Sequence, residues 1–351
     1  MSAGVELTAV RAQHRFDEVK LHAYLRTRID GIGDELTVAQ FEGGQSNPTF
    51  LLTSGDRRFV LRKKPPGVLL PSAHMIEREY RIMEALYGTA VPVPRVLHLC
   101  EDAALIGTVF YVMEYADGRL FKDISLPGIT PDERRAIYEE LARVAAALHT
   151  VDFAARGLSD YGKAGNYYGR QIGRWSQQYE SSKTDPIPSM DALIAWLPTH
   201  VPTDDTTSIV HGDFRLDNMI FHPTEPRVIA VLDWELSTLG HPLADLAHTC
   251  GVYHIDMADR PGIRHIAGAA TGIPTEAEFL ASYCRHAGRG PIEGWGFYVA
   301  FALFRFAAIC QGVYARSLAG NAASERAGTF HGIAREMAER GLAAARQGDR
   351  T

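Results

Sequence analysis

The sequence predicts an α+β fold of two lobes. Residues 1–116 form a small N-terminal lobe, an antiparallel β-sheet with one main helix, and residues 117–351 a larger, mostly helical C-terminal lobe. Three observations carry this. Residues 36–65 alternate apolar and polar side chains around two turn signals, Gly43-Gly44 and Ser54-Gly55-Asp56, as three antiparallel strands do. One strong helical period then occupies 72–88 before strand-like runs resume. Beyond Gly118 the apolar spacing becomes helical and stays so, apart from two short β runs. At 351 residues, 46% hydrophobic and 22% charged, the chain has an ordinary globular composition and exceeds the size of a single core.

Each element has its own reason. Residues 15–30 read as a short helix. In 72–88, Ile76, Tyr80, Met83 and Leu86 recur at helical spacing and Gly88 stops the run. The Pro-rich "VPVPRVLHLC" and then "TVFYVMEYA" supply two further strands. Residues 131–152 predict an amphipathic helix with Ile137, Leu141, Val144, Ala145 and Leu148 on one stripe. The stretch 157–205 carries aromatics, Arg and Pro and reads as less regular. "SIVHGD" and "RVIAVLDW" are the two short β runs, and from 243 onward the chain reads helical. The apolar run 294–310 is shorter than a membrane span and holds Arg305 near its middle, so a buried helix is expected there.

Composition excludes several function classes. With 36 basic against 42 acidic residues the net charge is −6, which argues against binding nucleic acid by bulk electrostatics. Cys100, Cys250, Cys284 and Cys310 lie far apart without a CxxC pair, which suits buried reduced thiols rather than disulfides or zinc. The first 20 residues contain no apolar core of a secretory signal. A cytoplasmic location with no membrane partner is the expectation.

The chemistry is concentrated in "IVHGDFRLDNMIFH" (209–222). Asp213 stands two residues before Arg215 and five before Asn218, and Asp233 follows at the end of an apolar run. Phosphoryl transfer from ATP needs such parts: a carboxylate to orient and deprotonate a hydroxyl, a cation against the transferring charge, and oxygen ligands for magnesium. Asn218 and Asp233 are the candidate Mg2+ ligands, since magnesium takes hard oxygen donors. Either motif alone could be a helix cap or a turn. Both, in order and each at a strand end, favour catalysis.

The spacing resembles the protein-kinase catalytic loop HRDLxxxN, in which the Asp is the base and the Asn holds metal. Asp233 then matches the metal-binding Asp of DFG, with Trp234-Glu235 in place of Phe-Gly. In "FEGGQSNPTFLL", Gly43, Gly44, Ser46 and Asn47 could cradle phosphate oxygens, although by itself the segment also fits a plain Gly-rich hairpin. Strand alternation in "RFVLRKKP" puts Val60, Arg62 and Lys64 on one face and Leu61 and Lys63 on the other. Val60 matches the adenine-facing position of the kinase pattern VAIK. Arg62 matches its phosphate-anchoring Lys, with Lys64 as second candidate. An Arg fork in place of a Lys point charge is not a neutral change. Glu77 and Glu79 on the following helix are candidate partners for that cation. Met113, Glu114 and Tyr115 offer backbone groups to adenine at a hinge that ends at Asp117-Gly118.

Taken jointly, "VLRKKP", "EREYRIM…VPVPRVL", "HGDFRLDN" and "VLDWE…GHPLADLAH" resemble the aminoglycoside phosphotransferase family. That family also takes in choline-kinase-like and homoserine-kinase-like enzymes and shares the protein-kinase-like fold. The resemblance spans roughly 40–250. It implies Asp213 as catalytic base, Asn218 and Asp233 as metal ligands, Glu79 as partner of Arg62, and Asp245 as a structural brace of the loop. In the most similar branch these strings accompany kinase-like domains that stand alone or are fused to acyl-CoA dehydrogenases. A chain of 351 residues leaves room for the kinase-like part only.

The expected activity is ATP-dependent phosphotransfer to a hydroxyl of a small metabolite. Acceptor contacts are sought in "NYYGRQIGRW", with Tyr167, Tyr168, Arg170, Arg174 and Trp175, and in the C-terminal helices around Trp295, Tyr298, Arg305 and Gln311. Arg and aromatic side chains without carboxylates suit an anionic or acyl-bearing compound better than a polycationic aminoglycoside. Helix packing is the expected role of Trp295 and Tyr298. A nucleotide-binding pseudokinase that regulates a partner is the alternative from another class. A true aminoglycoside kinase is a further one. A protein kinase is disfavoured, because no activation segment ending in APE follows Asp233.

Overall fold

The structure is a computed structural model and describes residues 6–42, 47–65, 75–255, 262–319 and 329–348. In chain order the elements begin with β1 (Leu7–Thr8), α1 (Glu18–Leu25), β2 (Thr37–Phe41), β3 (Thr49–Ser54) and β4 (Arg57–Lys63). There follow α2 (Ile76–Leu86), β5 (Val96–Cys100), β6 (Phe110–Glu114), β7 (Arg119–Leu120) and α3 (Pro131–His149). The middle of the chain holds α4 (Tyr167–Ser182), α5 (Pro188–Trp196), β8 (Ser208–Val210), β9 (Met219–Phe221), β10 (Val228–Val231) and β11 (Thr238–Gly240). Helices α6 (Pro242–Cys250), α7 (Glu276–Ala287), α8 (Trp295–Leu318) and α9 (Phe330–Gly348) complete it. The mixed α+β content and the strand–helix–strand order of the N-terminal part agree with the sequence reading.

Two compact units result. The first takes residues 1–124, 154–158 and 215–237; the second takes 125–153, 159–214 and 238–351. The division is discontinuous along the chain, where the sequence predicts one boundary at 116/117. The reason is pairing at long range: β7 joins β9 with Arg119 opposite Phe221, and β9 joins β10. Gly118 permits this seat, because a Cβ there would overlap the Phe221 carbonyl oxygen and the Ile220 side chain.

The first unit is built on a six-stranded antiparallel sheet in the order β1-β2-β3-β4-β6-β5. Alternation on β4 sends Phe59 and Leu61 into a core with Phe50, Leu52, Phe110 and Val112 and with Leu21 and Leu25 of α1. Full burial of each such side chain contributes about 1.5–3 kcal/mol. Lys63 shares that face. It is buried, its ammonium lies 5.4 Å from the Phe16 ring centroid and 5.9 Å from that of Phe50, and burial pulls its pKa down. Val60 and Arg62 take the opposite face.

In the second unit α8 packs against α9, α4, α6 and α5. The apolar run expected to end near 310 continues to Leu318. At 24 residues, α8 is the one helix among the described residues long and apolar enough to cross a membrane, and 67% of its most apolar window is buried inside the protein. Residues 157–205 are more regular than the sequence suggests. Tyr168, Ile172, Trp175 and Tyr179 form a buried stripe along α4, and Pro188 opens α5 at its first position. Gly169, Gly173 and the arginines obscure that stripe in the sequence. All four cysteines are buried, and no disulfide forms among the described residues.

Candidate active site

The first unit encloses a cavity of about 500 Å³ whose lining includes Val60, Arg62, Glu79, Met113, Tyr115 and Asp233. Six of the expected nucleotide-site residues thus line one space. Val60 and Met113 are direct cross-strand partners on β4 and β6, which fixes their shared face. The Tyr115 ring carries the Arg58 guanidinium 4.3 Å from its centroid. The hinge differs from expectation in one respect: the Glu114 N–H is committed to the Arg95 carbonyl at 2.9 Å.

Arg62 is the electrostatic centre of this cavity. Its Nε lies 3.0 Å from Glu79 Oε2, and its Nη2 donates to Glu79 Oε1 at 3.3 Å and to Asp233 Oδ1 at 3.2 Å. A planar fork can hold two carboxylates at once, which a single ammonium does less well. Burial works against the Arg62 charge, but Glu79, Tyr111 and Asp233 outweigh it and hold its pKa above the ordinary value. Burial pushes the Glu79 pKa up, and the Arg62 guanidinium opposes that rise. Lys64, the second candidate, is engaged elsewhere, 2.5 Å from Glu77.

Asn47 departs from expectation. It is buried, and its Nδ2 donates to Glu79 Oε1 at 2.8 Å, so it braces the glutamate rather than offering its amide to a phosphate. The Tyr111 hydroxyl, which sequence reasoning missed, donates to Glu79 Oε2 at 2.9 Å. Burial raises its pKa and keeps it a donor. Its place one residue before Val112 on an alternating strand was the available signal. Gly43, Gly44 and Ser46 lie outside the described residues.

Asn218 and Asp233 are brought to the same end of the β9–β10 hairpin. Met219 pairs with Val231, and the Leu232 N–H then bonds the Asn218 carbonyl at 2.8 Å. Asp233 has φ 66°, in the left-handed region, where Asp and Asn are tolerated better than most side chains. Trp234, in the place of the kinase Phe, is buried, with its indole N–H on the Val231 carbonyl at 2.9 Å. The backbone thus brings to one hairpin end an amide and a carboxylate, the hard-oxygen donor types that magnesium takes alongside waters and phosphate oxygens. Among the described residues no group of three His, Cys, Asp or Glu forms a metal cluster. Arg215, expected to face the transferring charge, has its Nη2 3.0 Å from Asp217 Oδ2.

Asp213 belongs to the second unit, on a turn that α6 grips. Gly212 has φ 86°, which is why a glycine stands there. Asp245 accepts the backbone N–H groups of His211 and of Gly212, the latter at 2.7 Å, and Arg305 Nη2 donates to the Gly212 carbonyl at 3.2 Å. Burial would raise the Asp245 pKa, but the bond to His149 and the neighbouring His149 and His211 bring it below the ordinary value. The bracing role expected of Asp245 is what these contacts describe. Thr249 Oγ1 donates to the Phe214 carbonyl at 2.7 Å, and His248 Nε2 lies 2.9 Å from Asp213 Oδ1. Sequence reasoning missed both. Their spacing of three and four residues from Asp245 on a helix was the signal.

Fold and site together define a kinase-like phosphotransferase scaffold. Comparison with known proteins identifies it further: the profile described as "Phosphotransferase enzyme family" matches residues 37–283, and the chain belongs to that family. It is 51% identical over 306 residues to acyl-CoA dehydrogenase family member 10 of Mus musculus, covering 87% of this chain and 29% of that protein. It is 47% identical over 348 residues to acyl-CoA dehydrogenase family member 11 of Rattus norvegicus, covering 96% of this chain and 44% of that protein. The chain therefore spans less than half the length of these curated relatives. A crystal structure from Ralstonia eutropha, provisionally named an aminoglycoside phosphotransferase, matches with a TM-score of 0.88 and 51% identity over 95% of this chain and 99% of the other. The ternary complex of the aminoglycoside phosphotransferase APH(4)-Ia with AMP-PNP and hygromycin B matches with a TM-score of 0.60 at 19% identity, covering 95% and 100%. Choline kinase from Cryptosporidium parvum matches with 0.64 at 11%, covering 94% and 96%. These last two likenesses establish the fold.

Proposed function

We propose that this protein is an ATP-dependent phosphotransferase that moves the γ-phosphoryl group onto a hydroxyl of a small, anionic or acyl-bearing metabolite. The observation that carries this reading is the Glu79–Arg62–Asp233 array on the wall of a nucleotide-sized cavity. In this reading adenine lies against Val60, Met113 and Tyr115, and Arg62 turns its fork to the phosphates while Glu79 keeps it straight. Asn218 and Asp233 hold magnesium, which when bound neutralises phosphate charge. Asp213 orients the acceptor hydroxyl and takes its proton as the oxygen bonds to phosphorus and the bond to ADP breaks. Arg215 serves the transferring group once it leaves Asp217.

For the acceptor, support comes from the second unit. Arg174 and Arg305 both lie over the Trp175 ring, at 5.3 and 5.5 Å, an array suited to an anion rather than to an aminoglycoside. The names of the full-length relatives, acyl-CoA dehydrogenases, point the same way.

The test is ADP release from Mg-ATP across pools of hydroxyl compounds, paired with calorimetric nucleotide binding. Asp213→Asn is expected to lower turnover by about 10²–10⁴-fold with nucleotide affinity intact. Asp233→Asn is expected to abolish metal-dependent binding. Equal turnover in wild type and Asp213→Asn, with ATP still bound, would instead identify a nucleotide-binding regulatory module.

A further inference from the structure

Helix α6 presents Asp245, His248 and Thr249 on one face, at the i, i+3 and i+4 positions of neighbouring turns. Two of the three hold backbone. Asp245 takes the N–H groups that precede Asp213, and Thr249 takes the carbonyl that follows it. Those contacts act on the backbone and fix the path of the turn. The third residue addresses the side chain itself, with His248 Nε2 at 2.9 Å from Asp213 Oδ1. Both side chains are partly open, His248 at 23% and Asp213 at 26%, so packing alone does not lock the carboxylate.

We propose that His248 is the positioning residue of Asp213: its Nε2–H donates to Oδ1 and fixes the carboxylate plane before an acceptor arrives. A carboxylate on a turn can rotate about two bonds, and a base that misses its hydroxyl by an ångström loses most of its effect. His248 supplies the constraint that α6 cannot supply through backbone bonds. This role rests on the phosphotransferase reading, in which Asp213 is the base. An ionised carboxylate only accepts, so a neutral His248 must carry its proton on Nε2.

Two measurements test this on the full chain. NMR of ¹⁵N-histidine-labelled protein reads the tautomer directly: His248 is expected as the Nε2–H form, and that preference is expected to weaken in Asp213→Asn. A bare Nε2 with the proton on Nδ1 would overturn the proposal. The kinetic arm follows ADP release from Mg-ATP with water as acceptor. His248→Leu is expected to lower kcat about 10–100-fold with the KM for ATP and the melting temperature unchanged. His248→Gln, whose amide N–H stands near the position of Nε2, is expected to recover most of it. Wild-type kcat in His248→Leu, or equal losses in Leu and Gln, would also overturn it. Full turnover in Asp213→Asn strikes the phosphotransferase mechanism instead, and leaves the tautomer result standing by itself.

Discussion

At the scale of single residues the site is organised by one guanidinium. Glu79 is buried and Arg62 largely so, and removing the glutamate leaves Asp233 to pair with Arg62 while the Asn47 amide and Tyr111 hydroxyl lose that acceptor. Glu79→Ala is therefore expected to cost about 1–3 kcal/mol in urea unfolding, beyond the loss of one surface pair. Replacing both residues, as Arg62→Met with Glu79→Ala, is expected to recover part of that cost. A double mutant no more stable than Glu79→Ala would sink this account. The strand period put Arg62 on the face of Val60, while the choice of Glu79 over Glu77 came from the family resemblance. The role of Asn47 was not legible in the sequence. Its partner stands 32 residues away, and nothing local distinguishes an amide that braces a glutamate from one that greets a phosphate.

At the scale of elements, α6 is the brace of the catalytic turn, and its hold depends on pH through Asp245. The folded-state pKa of Asp245 lies below its ordinary value of 3.8, so the unfolded chain takes up this proton first as acid is added. Its contribution to stability is complete above that ordinary value and is lost as pH falls through the lower folded one. Asp245→Asn is expected to cost about 1.5–3 kcal/mol at neutral pH and to flatten the acid limb of the stability curve. Denaturant melts from pH 7 downward measure both, and an unchanged acid limb would assign the proton uptake to other carboxylates. The bracing itself was foreseen only through the family resemblance, which put Asp245 in that role. Helices α4 and α5 were harder to read. The buried stripe of α4 is largely aromatic and interrupted by glycine and arginine, which blurs a period that depends on contrast.

At the scale of the whole molecule, the six-stranded sheet was largely legible and the division into units was not. Antiparallel neighbours close in sequence announce themselves through turns. The β7–β9 pair joins segments about 100 residues apart, and two-residue strands leave almost no period to detect. The composition also hides an opportunity. Lysine is scarce, limited to Lys20, Lys63, Lys64, Lys122, Lys163 and Lys183. Lys20, Lys122 and Lys163 are exposed, whereas Lys63 is sealed beneath aromatic rings with its proton loosened. An amine-reactive acylating reagent should tag the three exposed sites within seconds and reach Lys63 only when the first unit opens. Mass spectrometry of timed acylation would then report the opening rate of that unit without an added dye or engineered cysteine. Rapid tagging of Lys63 in the intact fold would show the seal to be leaky.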